Sequence, residues 1–433
     1  MTIYALSTAN GVSGLAVIRI SGHLALTALK TLSRKSNFET HKMCHIKIYD
    51  PDDGMHIDTG LGVYFAKPKS FTGEDVAELH IHGGISIINL VLNALGKIDQ
   101  LRLAEPGEFT KRAFVNDKMD LTAIEAMGDL INAHTEVQHK LALSQMSGSL
   151  NKLYLSWRKK LIEIIAYLEA GIDFADEDIP DDVLKNIMKK IDELISDISL
   201  HISEKNQGEI IKDGFRIAII GEPNVGKSSL INLLAKRDVA IVSEEAGTTR
   251  DAIEVTLNIS GYPVIFTDTA GIREATNTIE KKGIDITHKK IADSHLVIEL
   301  FDDIRKINQK KGRVSVLNKI DLINVNEVTN LETLKISTKT NHGIDELINT
   351  ISSYIEKDLS NLSETIPTRT RYILGSQKII QSLSSAKNID PINQTELFVE
   401  ELRLAVNEIG RLTGLVDVEE YLEVIFKDFC IGK

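Results

Sequence analysis

Eight residues, Gly221-Glu222-Pro223-Asn224-Val225-Gly226-Lys227-Ser228, combine glycines, a lysine and a hydroxyl at the spacing of a phosphate-binding loop. The apolar run FRIAII precedes them and the helical run SLINLLAK follows. Glycines at such a turn let backbone N–H groups point inward at phosphate oxygens, and the helix start adds a partial positive charge. Lys227 has the reach to serve the β and γ phosphates, Ser228 to ligate magnesium, and Asn224, Val225, Gly226 and Ser229 to line the loop. The plainer alternative is a glycine turn between strand and helix, which would not require the lysine and the hydroxyl at these places.

Base selection is expected from Asn318-Lys319-Ile320-Asp321, after the strand-like run RVSVL. The Asp321 carboxylate can accept from guanine N1–H and its exocyclic amine, a donor pair that adenine lacks. Ser337-Thr338-Lys339 matches a loop whose backbone contacts the guanine O6. Between these motifs, Gly247-Thr248-Thr249-Arg250-Asp251 resembles a switch segment, with Thr249 a second hydroxyl ligand for magnesium. Asp268-Thr269-Ala270-Gly271 follows YPVIFT, with Asp268 expected to hold magnesium through water and the Gly271 amide to touch the γ-phosphate. The next position, where many GTPases carry a water-orienting glutamine, is Ile272, which cannot hydrogen-bond water. Arg250 and Arg273 are near in sequence, but no arginine is evidently placed to offset phosphate charge.

The elements around these motifs divide the 433 residues into several domains. Residues 1–117 mix β-like runs (14–22, 60–68, 75–84) with helices expected at 23–33 and 85–97, an α/β or α+β domain. From 118 to 210 the period turns helical, with Leu150, Leu153, Trp157, Leu161, Ile164 and Leu168 on one stripe and Val183, Ile187, Ile191, Leu194 and Ile198 on another. Residues 211–357 alternate strand-like and helix-like runs, as a doubly wound parallel α/β sheet does. Helical patterning returns over 358–433, through Leu397, Leu402, Ala405, Ile409 and Leu412 and then Tyr421, Leu422, Ile425 and Phe426. The simplest architecture inserts the α/β domain into a helical domain built from both flanks; a separate domain over 362–433 is the alternative.

The net charge of −12 argues against a surface that clings to nucleic acid throughout, leaving room for a local patch such as Lys152, Arg158, Lys159 and Lys160 or, more simply, a solvated helix face. Two distant cysteines, Cys44 and Cys430, fit a reducing compartment rather than a disulfide framework. With no signal-peptide pattern and no apolar run long enough to span a bilayer, a cytoplasmic chain is expected.

The runs GEPNVGKSSLINLL, IVSEEAGTTRD and DTAGIRE resemble bacterial translation-associated GTPases, including the Era and EngA ribosome-assembly proteins. RISG (19–22), FTGEDVAELHIHGG (71–84), PGEFTKRAFVNDKMDL (106–121) and the final Phe429-Cys430-Ile431-Gly432-Lys433 narrow this to a resemblance, over essentially the whole chain, to the MnmE (TrmE) family of tRNA-modification GTPases. That resemblance implies an N-terminal domain that binds tetrahydrofolate and forms a homodimer, a helical domain, and an inserted G domain. It implies an FAD-dependent partner, MnmG (GidA), and attachment of an aminomethyl or carboxymethylaminomethyl group to carbon 5 of a tRNA wobble uridine. A 5-formyl- or methylene-tetrahydrofolate would supply the one-carbon unit.

Carried over by motif, the folate contacts are Arg19, Glu78, Lys118 and Lys433. The resemblance also implies potassium beside the γ-phosphate, ligated by the Asn224 side chain and by carbonyls of Ser243, Glu245 and Thr248 in the loop Ser243-Glu244-Glu245-Ala246-Gly247-Thr248. Glu280 would orient water, with Lys227 and Gly271 the other catalytic groups; a solvated helix start is the alternative for Glu280. His80 and His82 have metal-like spacing but no evident third ligand, and Cys430 is open between a reactive thiol and a packed residue. The short stretch DDIRKINQKKG at 302–312 leaves little room for a crossover helix.

The competing reading is a ribosome-assembly GTPase that modifies nothing. No KH-type GXXG loop follows residue 360, and only one P-loop is present. A third reading makes the N-terminal domain a dimerisation module without folate.

Overall fold

Apolar residues alternate along the first strands and recur every three or four positions along the helices. The computed structural model describes residues 1–173, 181–236, 254–268, 290–307, 312–322, 333–359, 362–416, 425 and 432. Contacts divide the chain into two compact units, residues 1–128 with 154–159 and 406–433, and residues 129–153 with 160–405.

The first unit holds a six-stranded sheet in the order β3-β4-β5-β2-β1-β6. Its strands are β1 (Thr2–Leu6), β2 (Ser13–Ser21), β3 (Cys44–Tyr49), β4 (His56–Phe65), β5 (Val76–Gly83) and β6 (Leu101–Leu103). Every pairing is antiparallel except β1 with β6. Side chains alternate across a strand. Ile18 and Ile20 of β2 and Ala77, Leu79 and Ile81 of β5 therefore meet helices α1 (Ala25–Ser33) and α2 (Ile85–Gly96) in one core. On β1, Ile3 and Ala5 take the other parity and pack with Phe109 of α3 (Glu108–Val115) and with Phe71. The sheet is thus an α+β arrangement, and both expected helices are present.

Near the other end of the chain, Ile425 packs against Leu121 and Ile124 of α4 (Leu121–Ile131). Gly432 lies on the end of β1, its carbonyl accepting from Ser7 Oγ at 3.1 Å. Its φ of +102° and a Leu6 carbonyl only 2.0 Å from where a Cβ would stand require glycine there.

Next come α5 (Glu136–Met146), α6 (Ser149–Asp173), α7 (Asp181–Ser203) and α8 (Lys205–Asp213). Thr135 and Gln138 close a capping box on α5, satisfying two of its first-turn N–H groups. The predicted stripes are buried at Leu150, Trp157, Leu161, Ile164 and Leu168 and at Ile187, Ile191, Leu194 and Ile198.

The second sheet has the order β12-β11-β10-β7-β9-β8. It comprises β7 (Phe215–Gly221), β8 (Glu254–Ile259), β9 (Tyr262–Asp268), β10 (Leu296–Phe301), β11 (Arg313–Leu317) and β12 (Leu334–Lys335). Five strands are parallel, and β8 runs antiparallel at the edge, joined to β9 through Ser260 and Gly261. Both turn residues have positive φ, 53° and 87°, which matches a tight hairpin to the strand twist. Helices α9 (Lys227–Lys236) and α10 (Ile344–Asp358) bury Leu230, Ile231, Leu347 and Ile351 against this sheet. The crossover after β10 contains only a 3-10 turn, Ile304–Lys306, among its described residues, in keeping with its length.

Two more helices follow, α11 (Thr370–Lys387) and α12 (Thr395–Thr413). Lys387 of α11 pairs with Asp192 of α7, and Arg403 of α12 with Glu169 of α6 at 2.6 Å. One stripe is corrected: Leu397 is 58% exposed, and its neighbour Phe398, fully buried, begins the core face of α12. A spacing of four from Phe398 to Leu402 fits a helix better than five from Leu397.

Candidate functional site

Residues leaving the C-terminal ends of parallel strands converge on one crevice in such sheets. Here those residues are Gly221 at the end of β7, Asp268 at the end of β9, Asp302 after β10 and Asn318 after β11. The chain between β7 and α9 is the loop read from sequence. Gly226 has φ +104°, and a Cβ there would lie 2.3 Å from the Asn318 amide nitrogen. Asn224 also adopts the left-handed region, at φ 63°.

Lys227 is 5% exposed and donates to the carbonyls of Gly221 at 3.0 Å and Glu222 at 2.9 Å. Its ammonium thus lies within the loop whose ligand it is expected to meet. Ser228 Oγ donates to Asp268 Oδ2 at 2.6 Å, so two residues 40 apart in sequence present hard oxygens side by side. That donor type suits magnesium.

Asn318 joins the phosphate loop to the base loop. It is fully buried, donates to the Val225 carbonyl at 2.8 Å, and accepts from the Thr338 N–H at 3.2 Å. Lys319 Nζ donates to the Asn224 carbonyl at 2.7 Å and to Asp302 at 3.1 Å. Asp321 Oδ1 accepts from Ser337 Oγ at 2.7 Å, which ties this carboxylate to the loop at 337–339. Asp302 went unread in the sequence, because a carboxylate after a strand carries no signature until its lysine partner is placed. Ser229 lies in the first turn of α9, Ile320 opens a 3-10 turn after Lys319, and Lys339 is exposed after Thr338. Ser243, Glu244, Glu245, Ala246, Gly247, Thr248, Thr249, Thr269, Ala270, Gly271, Glu280, Cys430 and Lys433 lie outside the described residues.

A second cluster occupies the face of the first sheet opposite α1 and α2. Arg19 of β2 and Glu78 of β5 are cross-strand partners in register, and Arg19 Nε donates to Glu78 Oε1 at 2.9 Å. The Arg19 guanidinium lies 5.0 Å from the Phe71 ring centre and 5.9 Å from that of Phe109. Burial opposes ionisation of Glu78, but His80 and Arg19 together outweigh it and hold its carboxyl below the usual range. Lys118 is exposed, its aliphatic chain close over Gly73 in the same loop as Phe71. The loop at 71–73 therefore touches both Arg19 and Lys118. Phe71 is a residue the motif reading missed, since an aromatic in a glycine loop reads first as core.

His80 Nε2 lies 3.4 Å from Glu78, and His82 Nδ1 lies 2.9 Å from Asp58. Each histidine thus has a carboxylate neighbour, and no cluster of three metal-type ligands occurs among the described residues. No helix among those residues is long and apolar enough to cross a membrane.

Comparison with known proteins bears on both clusters. Residues 2–118 match the model of the GTP-binding protein TrmE N-terminus, and residues 121–430 that of the MnmE helical domain. A tRNA modification GTPase MnmE of Rickettsia bellii is 44% identical over 452 aligned residues, covering 100% of both chains. One of the same name from Parvibaculum lavamentivorans is also 44% identical, with 100% of both chains covered. Among solved structures, Aquifex aeolicus Era bound to GDP and AlF4− is similar at 25% identity over 39% of this chain and 66% of that one, with a TM-score of 0.26. With both family models matched and full-length relatives at this identity, the chain belongs to the MnmE family of tRNA-modification GTPases.

Proposed function

We propose that the chain binds GTP with magnesium in the crevice of the second sheet and couples its hydrolysis to modification of a tRNA wobble uridine. The observation that carries this is the joining of four separated motifs by three contacts: Ser228 to Asp268, Asn318 to Val225, and Asp321 to Ser337. In the mechanism proposed, Lys227 neutralises the β and γ phosphates and the Asp321 carboxylate selects guanine. Ser228 and Asp268, with Thr249, would hold magnesium, which supplies charge neutralisation at the phosphates when bound. Gly271 offers its amide to the γ-phosphate, and Glu280, carried over from the family, orients water in place of the glutamine that Ile272 excludes.

Potassium is part of the proposal. Asn224 is exposed on the loop and offers a neutral side-chain oxygen, with carbonyls of Ser243, Glu245 and Thr248 as the remaining donors. A cation beside the γ-phosphate does the work of an arginine finger. GTP turnover is then faster in potassium chloride than in sodium chloride at matched ionic strength. Equal rates in the two salts would exclude the assigned cation site.

The N-terminal cluster is proposed to hold a 5-formyl- or methylene-tetrahydrofolate. Arg19 spends only its Nε on Glu78 among the described residues, which leaves the terminal nitrogens available to a ligand acceptor. Glu78 accepts from ring and amine N–H groups, and Lys118 and Lys433 pair with carboxylates. Gly432 on the end of β1 supports a return of the chain's last residues to this domain. Calorimetry with 5-formyl-tetrahydrofolate tests the assignment: saturable binding is expected, and none would remove the folate from the account.

The remaining assignments rest on the family. The domains are 1–117, 118–210, 211–357 and 358–433, with the G domain inserted into the helical one. The α7–α11 and α6–α12 ion pairs, which join helices from either side of it, support that order. The chain acts in the cytoplasm as a homodimer with the FAD-dependent partner MnmG and with tRNA. The resident product is an aminomethyl or carboxymethylaminomethyl group at carbon 5.

A further inference from the structure

A cavity of about 180 Å³ opens within the second unit, away from the nucleotide crevice. Its walls come from Asp129 near the end of α4 and Asn132 just after it, from α5 (Leu141, Ala142), from α8 (Ile211, Lys212) and from Thr368 just before α11. A water needs roughly 10–15 Å³ on this kind of measure, so the space is an order of magnitude larger than one water requires.

The Thr368 side chain is 7% exposed, and its Oγ1 has no hydrogen-bond partner. A buried hydroxyl left unpaired forfeits the hydrogen bond it would make to water, so a native cavity wall does not carry one idly. Of the lining amides, Gln138 Nε2 donates to the Lys212 carbonyl at 3.2 Å and Gln145 Nε2 to the Ile366 carbonyl at 2.8 Å, while Asn132 is exposed. Asp129 is paired with Arg369 at 2.7 Å, and Lys212 is followed by Asp213 at the rim, so the charges around the cavity cancel.

These features select the ligand chemistry. Leu141, Ala142 and Ile211 offer an apolar wall, Thr368 a buried hydrogen-bonding group, and the balanced formal charges no net charge for an ion to pair with. Such a site takes an uncharged small molecule with an apolar body and a single hydroxyl or carbonyl.

The walls also matter for turnover. α8 leads into β7 and the phosphate loop, while the segment around Thr368 follows α10 out of the same sheet. α5 touches both through Gln138 and Gln145, and its Val137 N–H donates to the Gly261 carbonyl, at the turn between β8 and β9. β9 ends at Asp268. A molecule lodged among these elements would resist their relative movement.

We propose that this cavity is a binding site for a small uncharged effector, bound through Thr368, that alters GTP turnover. It rests on the GTPase reading only for its consequence, since binding is measured separately from hydrolysis.

Phenol is the probe: one ring, one hydroxyl. Methyl NMR of the full chain follows Leu141, Ala142 and Ile211 during titration, with the GTP hydrolysis rate measured at saturation. Saturable shifts confined to these methyls are expected, weakened several-fold in Thr368→Val and abolished in Ala142→Met, which fills the space conservatively. The rate should change at least twofold in the wild type and remain unmoved by phenol in Ala142→Met. Shifts that never saturate, or that persist in both variants, would overturn the site. Saturation without a change in rate would overturn its role as an effector site.

Discussion

The two sheets place their candidate chemistry differently. The second sheet is parallel except for β8, and its candidate groups sit in loops at strand ends, where backbone N–H groups and short motifs are available to a ligand. The first is mainly antiparallel, and its candidate groups project from the middle of two neighbouring strands, Arg19 against Glu78. A loop site demands particular backbone conformations and so tolerates little change at its glycines. A strand-face site demands particular side chains on a backbone that any residue can adopt.

Gly226→Ala breaks this contrast most severely if it is wrong. A methyl there meets the Asn318 amide at 2.3 Å, and φ is +104°. GTP affinity should fall by roughly a hundredfold or more, because both the loop and its bridge to the base site must shift. Fluorescent-nucleotide titration measures it, and near-normal affinity would mean that the loop is not built as described.

Asp321→Asn should weaken GTP by about 1–3 kcal/mol and favour xanthine nucleotides, since asparagine offers a donor to the xanthine O2. Competition between GTP and XTP reads this directly. Unaltered preference for guanine would remove Asp321 from the base pocket.

The helical frame sets a different kind of limit. Burial lowers the pKa of His201, on α7, from 6.5 to about 4. The folded state therefore keeps this imidazole neutral while the unfolded chain protonates it. Its stability is complete above about pH 6.5 and is lost as pH falls towards 4, by about 2 kcal/mol at pH 5. Urea unfolding at pH 7 and pH 5 should show this loss in the wild type and much less of it in His201→Leu. An equal acid loss in both would assign it elsewhere.

The smallest expected effect is the most selective. Arg19→Ala should weaken 5-formyl-tetrahydrofolate about tenfold or more, as loss of a charge-assisted contact does. GTP hydrolysis by the same protein should be unchanged. A parallel fall in GTP turnover would mean that Arg19 supports folding rather than a separate ligand site.

Legibility in the sequence followed the same contrast. The loops after β7 and β11 were legible as strand-end turns, because each motif lies next to its strand and carries its own glycine or turn chemistry. What sequence could not give was the bridging: Asn318 is a base-loop residue by motif, yet its amide is spent on the phosphate loop and the loop of Thr338. On the first sheet, the β runs and both helices were legible from alternation and period. Arg19, Glu78 and Lys118 were found only through family resemblance, since an arginine, a glutamate and a lysine up to 99 positions apart share no local pattern. Phe71 escaped altogether. The antiparallel edge strand β8 was missed as well, although its Ser260-Gly261 turn is a hairpin signal. At α12 the stripe began one residue late in space, because Leu397 and Phe398 are both apolar and only packing chooses between them.

The central claim joins the nucleotide crevice to tRNA modification, and wobble-uridine analysis tests it most directly. Cells lacking this protein are supplied with the wild type or with Asp321→Asn, and nucleosides from their tRNA are resolved by mass spectrometry. The account predicts that the carbon-5 aminomethyl or carboxymethylaminomethyl uridines disappear in the deletion, return with the wild type, and return poorly with Asp321→Asn. A nucleoside profile unchanged by the deletion would contradict it.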